Sequence, residues 1–545
     1  VIATRATRWL SAAAGLLALG LIGVSLNLLL VDDAAVGRHS GMVGETPVLV
    51  YTPTTHATPT GAPVIVIAHG FAGSQQLMQA YAQALARHGY TALTFDFLGH
   101  GRHRSPLVGS ILEESGATQT LLAQLERVVG HALQIGGSEH GLGLLGHSMA
   151  ADILVRFTQP RELRPVTAWG ESATAPGWVG GEHVAGMVGV SMFAPTITAT
   201  TPPNLLAIAG QFEPRLIDEA LRVAAQVVPG AAVVEPGVTY GERESQSLRR
   251  VLVAPGAEHV AVLYQRQALR ETVQWFDRVF DVPARDPQLP ARGLAILGLL
   301  GGLVLLAWPL SRALPVVMAV ERQLPRASRR AVWRRYWLLA ATPALLTPLL
   351  LWPVPTGFLP VLVADYLALH FGVYGALTAL LLLRAARSDG GMAPRAVIRR
   401  VGVGLLAVVL VLLYGLGVMG AVIDTWLTAF LVTPVRVPLF LAILPGTLLY
   451  FLADESLTRR AAPVPGGFLY TKIAFLASLA LAVVLDFSGL FFLLIIVPII
   501  VLFFTVYGMF SRWVYSRTGV PWVAGLANAV VFAWALAVTF PLLGT

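Results

Sequence analysis

The run Gly146-His147-Ser148-Met149-Ala150 sets a serine among small residues where an apolar segment, Gly141–Leu145, gives way to the helix-forming Ala150-Ala151-Asp152-Ile153-Leu154-Val155. A hydroxyl at that junction is a candidate nucleophile. In a strand-to-helix elbow the serine takes a strained backbone conformation, so the positions two before and two after it must be small to avoid collision. Gly146 and Ala150 meet that demand, with alanine standing where the usual G-x-S-x-G pattern has its last glycine. The helix that follows turns its N-terminus toward the reacting centre, where it favours negative charge, and the Met149 N–H becomes a candidate oxyanion donor.

A serine alone does no chemistry, and its partners are sought at other strand ends. After Val64–Ala68 comes His69-Gly70-Phe71-Ala72-Gly73-Ser74. In acyl-transfer enzymes of this architecture a His-Gly turn here aims a main-chain N–H at the substrate carbonyl, and Phe71 would supply it, paired with Met149. The next apolar run ends in Asp96-Phe97-Leu98-Gly99-His100-Gly101-Arg102-His103-Arg104-Ser105. With one extra residue before Ser105, this turn resembles the D-x-x-G-H-G-x-S turn of the α/β-hydrolase superfamily of serine hydrolases. It takes no catalytic role: Asp96 and the glycines hold the loop, and His100 and His103 are structural or exposed.

The resemblance implies that an acid and then a histidine follow the nucleophile in the chain. Gly210-Gln211-Phe212-Glu213 is similar to the family's G-x-x-D turn, with Glu213 in the acid position and Asp218 the next carboxylate to consider. Pro255-Gly256-Ala257-Glu258-His259 occupies the turn where the family keeps its catalytic histidine, which implies His259 as the base. His259 would take the proton of Ser148 as the hydroxyl attacks an ester or amide carbonyl, Glu213 would orient the imidazole, and Phe71 and Met149 would bind the oxyanion. His147 either shapes the pocket or packs. The resemblance covers about residues 40–282.

Short β-rich runs alternate with helical segments from about Asp32 to Pro290, which predicts an α/β domain over residues 32–290 with a mostly parallel sheet covered on both faces. Strands are expected near Pro47–Tyr51, Val64–Ala68, Thr91–Phe95, Gly141–Leu145, Val184–Val190, Leu205–Ala209 and Val251–Ala254. Helices are expected near Gln76–His88, Gln119–Gln134, Ser148–Phe157, Arg215–Val227 and Val260–Phe280. The stretch between Val190 and Leu205 is too short for an inserted cap domain. The site is therefore open, or covered by the 161–182 segment, the 229–249 segment with Tyr240, the membrane region or a second subunit.

The rest of the chain is apolar. With 55% hydrophobic residues, 12% charged residues and a mean hydropathy of +0.69, these 545 residues read as a membrane protein. Trp9–Val31, preceded by Arg5 and Arg8, is long enough for the roughly 20 residues that cross a bilayer. A cleaved signal peptide is the rival reading, but its apolar core usually has about 7–15 residues. Residues 1–31 are accordingly expected to be a retained anchor. The chain begins at Val1, and its natural start is expected upstream or at a non-standard start codon.

Residues 291–545 are expected to form a membrane domain of eight further spans, near 293–311, 336–353, 358–383, 401–423, 430–452, 468–487, 489–510 and 519–541. The fifth is interrupted by Pro434, Arg436 and Pro438. Arginines cluster in alternate connections: Arg312, Arg322, Arg326, Arg329, Arg330, Arg334 and Arg335; then Arg384, Arg387, Arg395, Arg399 and Arg400; then Arg459 and Arg460; then Arg512 and Arg517. The positive-inside rule puts these and the N-terminus in the cytoplasm, and the α/β domain and C-terminus outside.

The net charge of +8 is explained by those loops and not by nucleic-acid binding. Zero cysteines exclude disulfides, thiolate metal sites and a cysteine nucleophile. No metal cluster or nucleotide fingerprint stands out, so no cofactor is expected. Among the spans Asp365, His370 and Lys472 are the unusual ionisable residues, and Asp424 and Arg436 are a candidate pair near the outer surface. The expected activity is that of a membrane-anchored extracytoplasmic serine hydrolase cleaving small-molecule or lipid esters. The alternatives are a peptidase on the same fold, or a transporter or assembly subunit with a hydrolase-like binding domain. A homo-oligomer or a membrane partner subunit stays open.

Overall fold

The computed structural model describes residues 5–54, 63–109, 116–137, 141–159, 181–228, 230, 233–319, 329–387, 400–461 and 464–544. Arg322, Arg326, Arg395 and Arg399, and the 161–182 segment up to residue 180, lie outside the described residues. The chain divides into two compact units. One comprises Val1–Ile22, Leu299–Val422 and Phe430–Phe540, and the other Gly23–Gly298, Ile423–Ala429 and Pro541–Thr545.

The second unit is built on a nine-stranded sheet. Its strands are β1 (Val36–Val43), β2 (Thr46–Pro53), β3 (Val64–Ala68), β4 (Thr91–Phe95), β6 (Leu142–His147), β7 (Val184–Val190), β8 (Leu205–Gly210), β9 (Thr239–Tyr240) and β10 (Arg249–Ala254). Their order is β1-β2-β4-β3-β6-β7-β8-β10-β9, parallel from β4 through β10 and antiparallel at both edges. A parallel sheet must be buried on both faces, and alternate residues show it. Val64, Val66 and Ala68 join the core under α3 (Ala117–Ala132), α4 (Met149–Phe157) and α5 (Pro214–Ala225). Ile65 and Ile67 join the opposite core, under α2 (Gln79–His88) and α6 (Arg266–Phe280).

Each expected strand is present within one or two residues. The strand β1 was not expected because its sequence, VGRHSGMV, has no apolar alternation. Its signal lay in the turn: Gly44, at φ 58°, closes a two-residue hairpin onto β2. The helix expected over Val260–Phe280 starts later, at Arg266, because the Gln265 side chain accepts the Ala268 N–H and caps it. A 3-10 turn, Ala261–Tyr264, precedes it.

Two buried carboxylates gather the chain where it leaves the first helix, α1 (Arg5–Ala34). Asp33 accepts from Arg292 Nη1 at 2.9 Å, Gln83 Nε2 at 2.8 Å and Trp426 Nε1 at 3.1 Å. Asp32 accepts from Arg87 at 2.7 Å and from the Ala291 N–H at 2.9 Å. Arg292 opens the helix α7 (Arg292–Ser311), so the two ends of the domain are tied within one polar knot. A buried charge is tolerated only when paired and hydrogen-bonded in this way.

The first unit is helical. Among the described residues, eight helices are long and apolar enough to cross a membrane: Ala6–Ala34, Arg292–Ser311, Ala364–Ala385, Val401–Trp426, Pro434–Arg459, Gly467–Leu485, Ile496–Thr518 and Pro521–Thr539. The chain is thus consistent with a multi-pass membrane protein. The span expected near 336–353 lies in the helix Arg329–Leu351, whose first turns carry Arg330, Arg334 and Arg335 and whose apolar part begins at Tyr336. The Pro434-Val435-Arg436 interruption forms a 3-10 turn that leads into the helix Val437–Ser456.

Glycine sets the helix contacts in this unit. A Cβ on Gly375 would stand 2.4 Å from the Leu449 carbonyl carbon, and one on Gly446 2.2 Å from the Ala368 oxygen, the close approach small residues allow between membrane helices. The ionisable residues singled out in the sequence are engaged. Lys472 donates to Asp454 at 2.5 Å, His370 bonds Ser478 at 3.1 Å, Asp365 accepts from the Phe358 N–H at 3.0 Å, and Arg436 donates to the carbonyls of Ala537 and Phe540. Asp424 belongs with Arg102 to the second unit and accepts from it there.

Replacing Asp33 by alanine leaves Arg292, whose side chain is 1% exposed, buried without its main partner. The expected loss is about 3–5 kcal/mol, read as a lowered unfolding temperature of the detergent-solubilised protein. Asp33→Asn, whose one carbonyl oxygen can still accept from Arg292 and Gln83, loses less.

Candidate active site

The strand β6 ends at His147 and α4 begins at Met149, so Ser148 makes the turn by itself, at φ 54° and ψ −122°. A non-glycine residue held there costs about 1–3 kcal/mol and persists only where its surroundings fix it. They do. A Cβ at Gly146 would lie 2.7 Å from Leu154 and 2.9 Å from the Ala151 nitrogen, and one at Gly70 3.0 Å from the Ser148 Cβ. The Ser148 N–H donates to the Val190 carbonyl at 2.8 Å, and its own carbonyl accepts the Ala151 N–H at 2.9 Å.

From this elbow a continuous relay runs through three of the residues singled out in the sequence. Ser148 Oγ lies 3.0 Å from His259 Nε2, and His259 Nδ1 lies 2.6 Å from Glu213 Oε1. A carboxylate can only accept, so Nδ1 carries the proton and leaves Nε2 bare toward the serine. Burial pushes the Glu213 carboxyl up. The hydrogen bonds from His259, Ser191 and the Gly210 N–H outweigh it and hold the group below the ordinary glutamate value. Glu213 sits at the cap of α5 with Pro214 in the first helical position, so the G-x-x-E turn and the helix start are one feature.

Two residues deepen the site beyond the sequence reading. Ser191 Oγ donates to Glu213 Oε2 at 2.6 Å, while the Gly210 N–H donates to the same oxygen at 2.7 Å, so both carboxylate oxygens are occupied. Ser191 also has a left-handed φ, 49°. Its signal was positional: it is the first residue past β7, at the carboxyl end of a parallel strand, where ligand-facing groups gather. His147 Nε2 donates to the His259 carbonyl at 2.9 Å, with the two rings 4.9 Å apart. Burial, with His259 alongside, pushes the His147 pKa down to about 3. His147 is therefore a neutral clamp on the backbone of His259, and not merely packing.

The register of β3 against β6 pairs Ala68 with Gly146, which brings the turn after β3 beside the elbow. That turn closes with the Gly73 N–H on the Gly70 carbonyl at 3.0 Å, with Ala72 at φ 56°. A positive φ at the third residue of such a turn is the type II arrangement and strains an alanine. His69 locks the turn from beneath, donating from Nδ1 to the Gly70 carbonyl at 2.8 Å and accepting the Phe97 N–H at Nε2, 3.1 Å. Phe71 lies within this turn, and Met149 holds the first position of α4, where a helical N–H has no intrahelical acceptor.

The Asp96 loop has a different task. The Asp96 carboxylate accepts the main-chain N–H groups of Gln75 at 2.8 Å and Arg102 at 3.0 Å, and a Cβ on Gly101 would strike it. His100 and His103 bond main-chain atoms of this same loop. Among the described residues no group of three His, Cys, Asp or Glu side chains could hold a metal ion. A hydroxyl, an imidazole and a carboxylate in line, beside a strained turn at a helix N-terminus, can perform nucleophilic acyl transfer.

Gly146→Ala is expected to destabilise the domain and to reduce turnover, because its methyl must displace Leu154 or the α4 backbone; chemical denaturation with parallel ester assays checks both. His147 gives a pH signature. Its folded pKa, about 3, lies below the ordinary 6.5, so between those values the unfolded chain binds a proton that the folded one does not, and stability falls as pH falls. His147→Gln, which keeps a donor for the His259 carbonyl, should flatten that acid limb in unfolding curves taken from pH 7 to pH 3.5.

Comparison with known proteins agrees with this architecture. Residues 60–205 match the family model described as "Serine aminopeptidase, S33". No curated protein matches the chain. Solved structures similar to it include a CIB-like hydrolase from Thermoplasma acidophilum, at 15% identity over 45% of this chain and 99% of that one, with a TM-score of 0.30. A soluble variant of a monoglyceride lipase from Saccharomyces cerevisiae is 14% identical over 45% and 96%, with a TM-score of 0.30. An esterase from Thermogutta terrifontis is 14% identical over 46% and 94%, with a TM-score of 0.33. At these scores the likenesses carry no argument about what this chain acts on. The sheet order, the helices on its two faces and the family match over residues 60–205 identify an α/β-hydrolase domain, similar to the serine aminopeptidase family, in a chain that also carries several membrane-length apolar helices.

Proposed function

We propose that the protein is a membrane-anchored serine hydrolase that cleaves carboxylic esters through Ser148, His259 and Glu213. The observation that carries this reading is the unbroken relay from Ser148 Oγ to His259 at 3.0 Å and on to Glu213 at 2.6 Å. His259 accepts the serine proton as Oγ attacks the carbonyl, and Glu213 stabilises the imidazolium. The N–H groups of Phe71 and Met149 bind the oxyanion, the alcohol leaves with the proton from His259, and water releases the acyl group by the same steps. Phe212 and Val260, next in the chain to Glu213 and His259, and Phe193, two residues past Ser191, are exposed apolar residues. That apolar rim favours an acyl group or lipid chain over a charged substrate. The family description favours a second reading, an aminopeptidase on the same triad, and a panel of aminoacyl amides beside esters of graded chain length separates the two.

In this reading residues 1–31 are an anchor, 32–290 the hydrolase domain and 291–545 a membrane domain of eight spans, with the hydrolase domain outside the cytoplasm. Parity supports the count. Ile423–Ala429 and Pro541–Thr545 belong to the same compact unit as the hydrolase residues, with Arg102 on Asp424 at 2.5 Å and Leu542 bonded to Gly99 at 2.8 Å. A chain that leaves a domain and returns to the same side crosses the membrane an even number of times. Between Arg292 and Trp426 the helices Arg292–Ser311, Arg329–Leu351, Ala364–Ala385 and Val401–Trp426 give an even number only if Arg329–Leu351 is counted. The arginine clusters supply the direction.

Ser148→Ala should abolish both fluorophosphonate labelling and ester turnover while leaving the unfolding temperature near wild type. Labelling that survives would move the nucleophile elsewhere. His259→Ala should be nearly as damaging, and Glu213→Gln less so, since donors to the oxyanion still operate. For topology, single cysteines at Met42 and at Arg512, in a chain that has none, should react with an impermeant thiol reagent in intact cells and only after lysis, respectively. The reverse pattern would put the hydrolase domain in the cytoplasm.

A further inference from the structure

We infer that the segment Ile423–Ala429, which runs from the last turn of the membrane-length helix Val401–Trp426, is a positioning element for the oxyanion turn of the hydrolase domain. The inference rests on the proposed roles of Ser148 and Phe71.

The turn Gly70–Gly73 is held on its upstream side by β3 and by His69. Downstream it runs into Ser74, a fully buried residue, and the partners of the Ser74 hydroxyl come from the 423–429 segment. Ser74 Oγ accepts the Ala429 N–H at 3.0 Å and bonds Thr428 Oγ1 at 3.1 Å. Two glutamines one turn further on extend the contact: Gln76 Nε2 donates to the Asp424 carbonyl and Gln79 Nε2 to the Thr425 carbonyl, both at 3.3 Å. The neighbouring loop is gripped as well, by the ion pair of Arg102 with Asp424 at 2.5 Å. That loop reports back to the same turn. Asp96 accepts the Gln75 N–H, Phe97 donates to His69, and the His100 ring stands 5.7 Å from that of Phe71.

The geometry has a physical purpose. Ala72 is held at φ 56°, a conformation that an alanine leaves unless both flanks fix it. An oxyanion donor acts only if it is aimed before charge develops. Without the Ser74 anchor, the turn can relax toward an ordinary loop and carry the Phe71 N–H out of line. Sequence-distant residues of the same compact unit thus complete the oxyanion turn without touching substrate.

The test uses the full-length protein in detergent micelles with an ester substrate and an alkyl boronic acid, which forms a tetrahedral adduct with the serine and draws on the oxyanion donors. Thr428→Val and Ser74→Ala should each lower kcat by about ten- to a hundredfold with KM little changed, and should weaken boronate binding by a matching factor. Thr428→Ser should restore both. If both variants keep kcat and boronate affinity within about twofold of wild type, or if KM rises while kcat holds, the segment does not position the oxyanion turn. A purely structural role would lower the unfolding temperature without this matched loss at a temperature where the variants stay folded, and would also overturn the inference. Failure of the underlying reading is separate: turnover that persists in Ser148→Ala removes the nucleophile, whatever Thr428→Val does.

Discussion

The strained backbone of Ser148 is the constraint on which the rest of the domain depends. A serine at φ 54° can be kept only where the strand before it, the helix after it and the turn beside it all press from fixed directions. Gly146 lets α4 close over β6, Gly70 lets the neighbouring turn approach the serine Cβ, and Val190 holds its N–H from the other side. The sheet order follows from the same need. β6 is central, flanked by β3, which brings the Gly70–Gly73 turn, and by β7, which brings Ser191.

Electrostatics then sorts the histidines by role. His69 and His147 are buried and pushed toward neutrality by desolvation, and each spends its N–H on a carbonyl: Gly70 for His69, His259 for His147. Both act as dry braces. His259 is different, with a side chain 44% exposed, a carboxylate at 2.6 Å on Nδ1 and the Ser148 hydroxyl at 3.0 Å on Nε2. Glu213 accepts from three donors, with one carboxylate oxygen on Nδ1 of His259 and the other on Ser191 and the Gly210 N–H.

Polar contacts of this kind also join parts of the chain that composition alone would keep separate. Asp32 and Asp33, at the end of an apolar helix, gather Arg87, Arg292, Gln83 and Trp426. The last residues of the chain add a short strand, β11 (Leu543–Gly544), to β5 (Leu107–Val108), and Leu542 closes on Gly99. Each joint satisfies buried donors and acceptors that would otherwise be stranded, and these segments belong to the same compact unit as the hydrolase residues.

The sequence by itself determined what depends on local pattern. The alternation of apolar runs fixed seven strands because a parallel sheet demands continuous burial, and the small residues around Ser148 marked the elbow because no larger side chain fits there. Turn signatures found Glu213 and His259 for the same reason: each is set by the few residues next to it. What local pattern could not reach was contact across the chain. Ser191 is an unremarkable serine until the fold carries it to Glu213, and His147 is simply the residue before Ser148 until the final turn brings the His259 carbonyl to its ring. Arg102 and Asp424, or Ser74 and Thr428, stand hundreds of residues apart, and nothing in either neighbourhood names the other. Such pairs are decided by the tertiary structure, because a buried hydrogen bond is specified by where two backbones meet and not by the residues on either side of it.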